Sequence, residues 1–334
     1  MRYTDVLEEQ KMRLEPELKW WPSFFYHFTD VHNVVNILKT GWIMSREHAL
    51  AAGMMVKDNA SCAVISATSY ENKRYGRLYF RPLTPTQYHS EGYKPEKVRN
   101  PDINASCPVP VFLCLDAAST LEYPGTQFAE KGLAGGRHNV QEGVSKFACL
   151  NFEKIYHDGW YEPQNSDIKD YRHSEIIREG GFPVEPLLRC ILCRTIAEKE
   201  MLLHLIRNYS MRMYNSYRDR ILYQPKVKCF NYNGIFIKNV VIVDGGVRLE
   251  LNDPEQRIGN YIDNVYFSIL IELEYIREDG GVIFAERGGN EFNYGKVRSV
   301  MMQLDQELQY CNQRAQTDGF AEQNGRDAER ADLT

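Results

Sequence analysis

Two residues of this 334-residue chain have chemistry that does not suit their surroundings. Glu175, in RHSEIIREGGFPV (172–184), begins an apolar strand directly after a long polar loop. A carboxylate carried into a strand is costly unless a partner compensates its burial. The alternative is an edge-strand glutamate facing water. His27, in FYHFTDVHNVVNILKTG (25–41), sits in an aromatic run that reads as a strand, just ahead of Thr29 and Asp30, which suit a helix N-cap. It either holds a ligand at the mouth of a strand–turn–helix unit or buries a polar edge. Other spacings carry less. Cys190 and Cys193 have the interval of a metal or redox pair, but a structural zinc site needs a second pair and no other two cysteines share that interval. Residues three apart on a strand point to opposite faces, so both read as ordinary buried cysteines. Asp158, Asp167 and Asp170 lie in a polar loop and read as solvated. The glycine pairs of LAGGRHN and EDGGV do not open a helix behind a strand, so they read as turns. Neither GxSxG nor a P-loop occurs, which leaves common hydrolase and ATPase chemistry without support.

The bulk properties and the elements come next, since they must position those residues. With 43% hydrophobic and 25% charged residues the chain has the composition of a soluble globular protein. No apolar run approaches the roughly 20 residues of a bilayer span. The polar N-terminus MRYTDVLEEQKMRLEPE is unlike a secretory signal, and eight scattered cysteines suit a reducing cytoplasm. A net charge of −5 argues against a protein that coats duplex DNA, though it permits a local basic groove. Residues 24–28 read as a strand and about 30–40 as an amphipathic helix ending at Gly41. SCAVISAT (61–68) fits a strand or a buried helix. In GRLYFRPLTPTQYHSEGYKPEK an aromatic strand runs into three prolines, which predict an extended, non-helical loop. VPVFLCLDAAST (109–120) reads as a fully buried strand with a polar cap, and 156–171 as a long aperiodic loop of the functional kind. The 3–4 spacing of Met201, Leu202, Leu205, Ile206 and Tyr209 predicts one helix through 197–224. Beyond residue 223, short alternating runs broken by Asn-Gly and Gly-Gly predict antiparallel hairpins. GKVRSVMMQLDQELQYCNQR (295–314) reads as a closing helix. The expected organisation is a domain over 1–210, a β-rich domain over 211–314 and a hydrophobe-poor, disordered tail over 315–334.

Four stretches in this order resemble the DarT family, bacterial toxin ADP-ribosyltransferases that act on nucleic-acid bases. They are FYHFTDVHNVVNILKTG (25–41), YFRPLTPTQYH (79–89), PVPVFLCLD (108–116) and RHSEIIREGGFPV (172–184), and the resemblance covers about residues 20–200. It implies an α+β fold, with an ADP-ribosyltransferase-like split mixed or antiparallel sheet around an NAD cleft, ahead of the β-rich C-terminal domain. ADP-ribosyl transfer breaks the nicotinamide–ribose bond through an oxocarbenium-like centre, as glycosidases do at their sugars. It therefore needs a carboxylate near that ribose, a platform for nicotinamide and a group that activates the acceptor.

The resemblance makes Glu175 the catalytic carboxylate. It gives His27, with the backbone of Phe28 and Thr29, to the nicotinamide side of NAD, and Asn33 or Asn36 to the dinucleotide. Tyr79 or Phe80 would stack on nicotinamide. The family pattern has an arginine after the proline of this strand, whereas this chain has Leu83. Arg81, two residues earlier, becomes the candidate because strand side chains alternate with period two. Trp160, Tyr161, Lys169, Tyr171 and Arg172 would hold an unpaired base and its phosphates.

The implied activity is an NAD-dependent mono-ADP-ribosyltransferase toxin modifying a base of single-stranded DNA. The same chemistry on RNA bases or on protein, or a non-enzymatic module on a decayed scaffold, are alternatives. NAD is the co-substrate, no metal is called for, no membrane is involved, and a cognate antitoxin is the expected partner in the cytoplasm.

Overall fold

In a computed structural model of the chain, residues 1–54, 71–100, 105–133, 140–243, 246–276 and 282–303 are described. The aromatic run becomes strand β1 (Phe24–Asp30), whose alternation sends Phe25 to one core and Tyr26 to a second one on the opposite face. Nine further strands follow in the same region: β2 (Trp42–Met44), β3 (Tyr75–Tyr79), β4 (Pro110–Asp116), β5 (Gln127–Ala129), β6 (Val140–Gln141), β7 (Glu175–Glu179), β8 (Gly181–Pro183), β9 (Leu188–Cys193) and β10 (Ile221–Tyr223). Eight of them form one sheet in the order β10-β9-β4-β1-β3-β7-β5-β6, antiparallel except for the parallel pair β9–β10. β4 is buried from Pro110 to Leu115 because Val111, Leu113 and Leu115 face one core while Phe112 and Cys114 face the other. Each such side chain contributes about 1.5–3 kcal/mol, which places the most apolar strand at the middle of the sheet.

The sheet is split beside β1. β1 pairs with β4 along its whole length but with β3 only at Tyr26↔Tyr79. Past that point the ladder between the two strands ends, and residues 27–30 and 75–78 are not paired with each other. The helix Val31–Thr40 starts directly at the end of β1. Asp30 accepts from the His32 amide at 3.1 Å as N-cap, and Gly41, in the left-handed region at φ +73°, ends the helix. Val31, Val34 and Leu38 drive that helix onto the core. Glycine is obligatory at Gly181 (φ +120°), where a Cβ would collide with the Ile43 carbonyl of β2.

The α+β architecture agrees with expectation, and three local expectations do not. The proline-rich segment is not wholly extended: Thr84 caps a helix over Pro85–Ser90, with its hydroxyl accepting from the Gln87 amide at 3.2 Å. Pro85 stands at the first helical position, where a missing N–H costs nothing. The single helix read through 197–224 is instead two helices, Ile196–Tyr209 and Met211–Tyr217, followed by β10. Ser210 (φ −164°, ψ 122°) breaks it by leaving helical geometry to cap the second helix through the Met213 amide. The segment expected to be a closing helix begins as a strand over Ser299–Gln303. The chain divides into compact units at Met1–Gly234 and Ile235–Thr334, later than the expected 210/211 boundary, because β10 adds an edge to the first unit's sheet.

The second unit is β-rich. It holds β11 (Ile237–Val243), β12 (Gly246–Leu251), β13 (Tyr266–Ile276), β14 (Val282–Asn293) and β15 (Ser299–Gln303). They form an antiparallel sheet in the order β11-β12-β15 and an antiparallel β13–β14 hairpin. SCAVISAT (61–68) and the 315–334 tail lie outside the described residues. No helix among the described residues is long and apolar enough to cross a membrane.

Candidate active site

Glu175 is the first residue of β7, an interior strand between β3 and β5, so the edge-strand alternative fails. It lies directly between Tyr79 of β3 and Ala129 of β5 and is only 4% exposed. Its burial is compensated. Oε2 accepts from the Leu133 amide at 3.0 Å, and Oε1 faces the Arg77 guanidinium at 3.4 Å. Arg77 and Tyr79 share a face of β3 two residues apart, which makes Arg77 the diagonal neighbour of Glu175. Arg77 is the participant that sequence reasoning missed. Counting the same period-two alternation backwards from Tyr79, within the strand, would have found it.

His27 stands across the split. Its Nδ1 lies 3.3 Å from the Arg77 carbonyl oxygen. A carbonyl only accepts, so Nδ1 carries the proton and Nε2 keeps a lone pair. Burial pushes its pKa down to about 4, and the imidazole is neutral near pH 7. His27, Arg77 and Glu175 thus form one connected chain, through the backbone of Arg77 at one end and its side chain at the other. Tyr79 packs beside them in the core cluster of Tyr26 and Phe112. Burial and the adjacent Glu175 raise its phenol to about 12, which keeps it a donor.

The remaining residues expected to contact NAD divide. Phe80 is fully buried, 5.2 Å from the Phe25 ring and 6.0 Å from Phe147 between ring centroids. It is core and cannot stack on a ligand, so of the Tyr79/Phe80 pair only Tyr79 faces the carboxylate. Phe28 lies at the diverging end of β1, with its ring 5.3 Å from Phe112. Asn33 Nδ2 donates to Thr29 Oγ1 at 3.1 Å, pinning the end of β1 to the helix. Asn36 Nδ2 donates to the Met54 carbonyl at 2.8 Å.

Arg81 does not reach Glu175. β3 ends at Tyr79, so the alternation that put Arg81 on the carboxylate's face no longer applies. The chain then turns through Leu83, a non-glycine residue at φ +59° whose amide donates to Gln87 Oε1 at 2.6 Å. Arg81 is 1% exposed and packs its guanidinium 4.3 Å from the Trp21 ring. It donates to the Pro82 carbonyl at 2.9 Å, to the His157 carbonyl, and to Asp158 Oδ1 at 3.3 Å. Burial and then the nearby Arg172 pull its pKa down to about 9. It anchors residues 157–158, and the structure does not bring it to Glu175.

The 156–171 segment is more ordered than an aperiodic loop, with a 3-10 turn at Pro163–Asn165 and a short helix at Ile168–Tyr171. Arg172 supports it by donating to the carbonyls of His157 (3.1 Å) and Gly159 and to His157 Nδ1 (2.8 Å), and it lies 5.1 Å over the Tyr161 ring. Its guanidinium is therefore engaged within the protein. Asp158 pairs with Lys228 as well as Arg81, so it is an ion-pair hub and not a solvated loop carboxylate. Trp160 projects with 75% exposure, Lys169 is exposed, and Tyr171 lies between the Lys131 and Lys154 ammonium groups at 4.9 and 5.2 Å. The segment is tied to the helix Pro85–Ser90: the Thr86 hydroxyl donates to His173 Nε2 at 3.2 Å, and His173 Nδ1 donates to the Lys169 carbonyl at 3.0 Å.

Cys190 is half-buried opposite Cys114 across β4 and β9, Cys193 is buried, and all three are free thiols. Among the described residues no group of three His, Cys, Asp or Glu side chains could hold a metal ion.

Solved structures similar in fold include Thermus sp. 2.9 DarT in complex with NAD+ (16% identity, 61% of this chain and 96% of that one, TM-score 0.46). The same protein in complex with ADP-ribosylated ssDNA matches at 15% identity, over 61% of this chain and 95% of that one, with a TM-score of 0.44. Thermosipho africanus DarTG in complex with ADP-ribose matches at 15% identity, over 66% of this chain and 54% of that one, with a TM-score of 0.45. No curated protein matches in sequence. The family model described as "ssDNA thymidine ADP-ribosyltransferase, DarT" matches residues 26–223, more than half of the chain, and includes His27, Arg77, Tyr79 and Glu175. The chain belongs to the DarT family of NAD-dependent, ssDNA thymidine ADP-ribosyltransferases.

Proposed function

We propose that the cleft beside the split of β1 and β3 binds NAD and transfers its ADP-ribose to thymine in single-stranded DNA, with Glu175 as the catalytic carboxylate. One observation carries this reading. An interior, nearly inaccessible carboxylate is held by a backbone amide and a guanidinium, across the cleft from a neutral histidine. The bond from nicotinamide nitrogen to ribose C1′ breaks and nicotinamide leaves with the bonding pair. An acceptor atom of the base then bonds C1′ and gives up its proton to water. C1′ passes through an oxocarbenium-like centre, whose positive charge a fixed carboxylate stabilises without reorganisation. His27 Nε2, a lone-pair acceptor, suits a sugar hydroxyl. Tyr79 suits the nicotinamide ring.

Trp160 provides a stacking face for an unpaired base, and the exposed Lys169, with Lys131 beside Tyr171, supplies positive charge for phosphates. Arg172 acts here by holding the segment. The toxin reading brings a cognate antitoxin as partner and a cytoplasmic setting where NAD and single-stranded DNA are present. Single-turnover incubation of the full chain with labelled NAD and a thymine-containing oligonucleotide tests the function. Label on RNA or protein with none on the oligonucleotide would replace the acceptor assigned here.

A further inference from the structure

We infer that Arg77 is the positioning residue of the reaction, fixing the Glu175 carboxylate in the plane that transfer uses. This rests on the transferase reading above. A glutamate at the first position of a strand can rotate about its side-chain bonds, and one contact does not fix a planar group. Glu175 has two, one to each oxygen: the Leu133 amide at 3.0 Å and Arg77 Nη1 at 3.4 Å. Arg77 is itself restrained, because Nη2 donates to the Asn72 carbonyl at 3.1 Å and its own carbonyl accepts from His27. Its side chain is 23% exposed, so it is neither a core residue nor a free surface cation. The other arginines of the region are committed, Arg81 to Asp158 and His157 and Arg172 to His157 and Gly159. Among the described residues Arg77 is thus the guanidinium that touches the carboxylate, and Leu83 offers none. Any loss of aim at Glu175 acts on the chemical step, since a misplacement of about 1 Å at a reacting centre costs on the order of 10²-fold.

The test compares wild type, Arg77→Met, Arg77→Lys, Glu175→Gln and the double variant Arg77→Met/Glu175→Gln, all as full chains. Single-turnover transfer to a single-stranded oligonucleotide and nicotinamide release are followed at saturating NAD, beside a direct NAD titration. Arg77→Met should slow both reactions by about 10- to 100-fold while NAD affinity stays within about threefold, and Arg77→Lys should recover part of the loss. In the Glu175→Gln background the same change should add almost nothing, because a positioning residue acts only through what it positions. A merely structural arginine would instead lower NAD affinity and add its full effect in that background. That outcome, or an Arg77→Met or Arg77→Lys protein at wild-type speed, overturns the inference. Nicotinamide release needs no particular acceptor. A wild type that releases nicotinamide without labelling the oligonucleotide therefore refutes the DNA reading and leaves the Arg77 comparison intact.

Discussion

Replacing Glu175 by Gln separates what the carboxylate does for the fold from what it does for the reaction. Gln keeps the size and one acceptor oxygen. The Leu133 amide is buried backbone and takes that oxygen, so the new NH2 group faces Arg77. Arg77 is 23% exposed and regains water, which keeps the ground-state cost near that of a partly screened ion pair, about 1 kcal/mol. For a unit of this size that lowers Tm by about 2–4 °C. The transition state loses more. A negative charge fixed beside a developing oxocarbenium is worth about 2.7–4 kcal/mol, or 10²–10³ in rate, and a further role at the acceptor would add to it. The rate effect therefore exceeds the stability effect severalfold, and NAD affinity should change little. Three measurements check this: single-turnover labelling of a single-stranded oligonucleotide, an NAD titration and a melting curve. Toxicity in expressing cells should vanish with the transfer. A Glu175→Gln protein that melts normally and transfers within tenfold of wild type would remove Glu175 from the mechanism.

Three other perturbations probe the rest of the site. As pH falls from about 6.5 towards 4, the unfolded chain protonates His27 while the folded chain does not, so stability should drop across that window by at most about 3 kcal/mol. His27→Gln should flatten that dependence in denaturant titrations, and an unchanged slope would contradict the burial argument. Arg81→Met breaks a buried pair but leaves Asp158 its Lys228 partner, so the lower end of the usual range, about 3 kcal/mol, is expected. Calorimetry should then show Tm lower by about 6–12 °C, and a shift under 2 °C would contradict the anchoring role. Trp160→Ala, at a 75% exposed position, should leave Tm and NAD affinity unchanged but weaken single-stranded DNA binding by about 1–3 kcal/mol. Equal oligonucleotide affinity in a fluorescence titration would take Trp160 out of the acceptor surface.

Local physics made part of this fold legible in the sequence. β1 and its helix carry period-two aromatics, an Asp cap and a terminal glycine, and all three survive in the structure. β4 was legible from its unbroken apolar run. The failures lie where tertiary context overrides a local rule. Pro85 starts a helix because Thr84 is there to cap it. Ser210 breaks a helical pattern because its hydroxyl is used as the next cap. Phe80 and Tyr79 are equivalent aromatics in sequence. Only the sheet's two cores decide that Phe80 faces Phe25 while Tyr79 faces the carboxylate.

The arginines make the same point about the site. Alternation along β3 is a sound rule for as long as β3 is a strand, and Tyr79 is its last residue. Counting forward to Arg81 leaves the strand and lands on a guanidinium stacked on Trp21 and bonded to residues 157 and 158. Counting backward to Arg77 stays within it and lands beside Glu175. The two arginines then hold different parts of the proposed reaction. Arg77 serves the rigid half, where strands hold the carboxylate and the histidine. Arg81, with Arg172, serves the half that presents Trp160 and Tyr161. On the proposed reading, changes at the tip of that segment alter which base is accepted without disturbing Glu175, because among the described residues the restraints on the carboxylate come from Leu133 and Arg77 and none from residues 157–161.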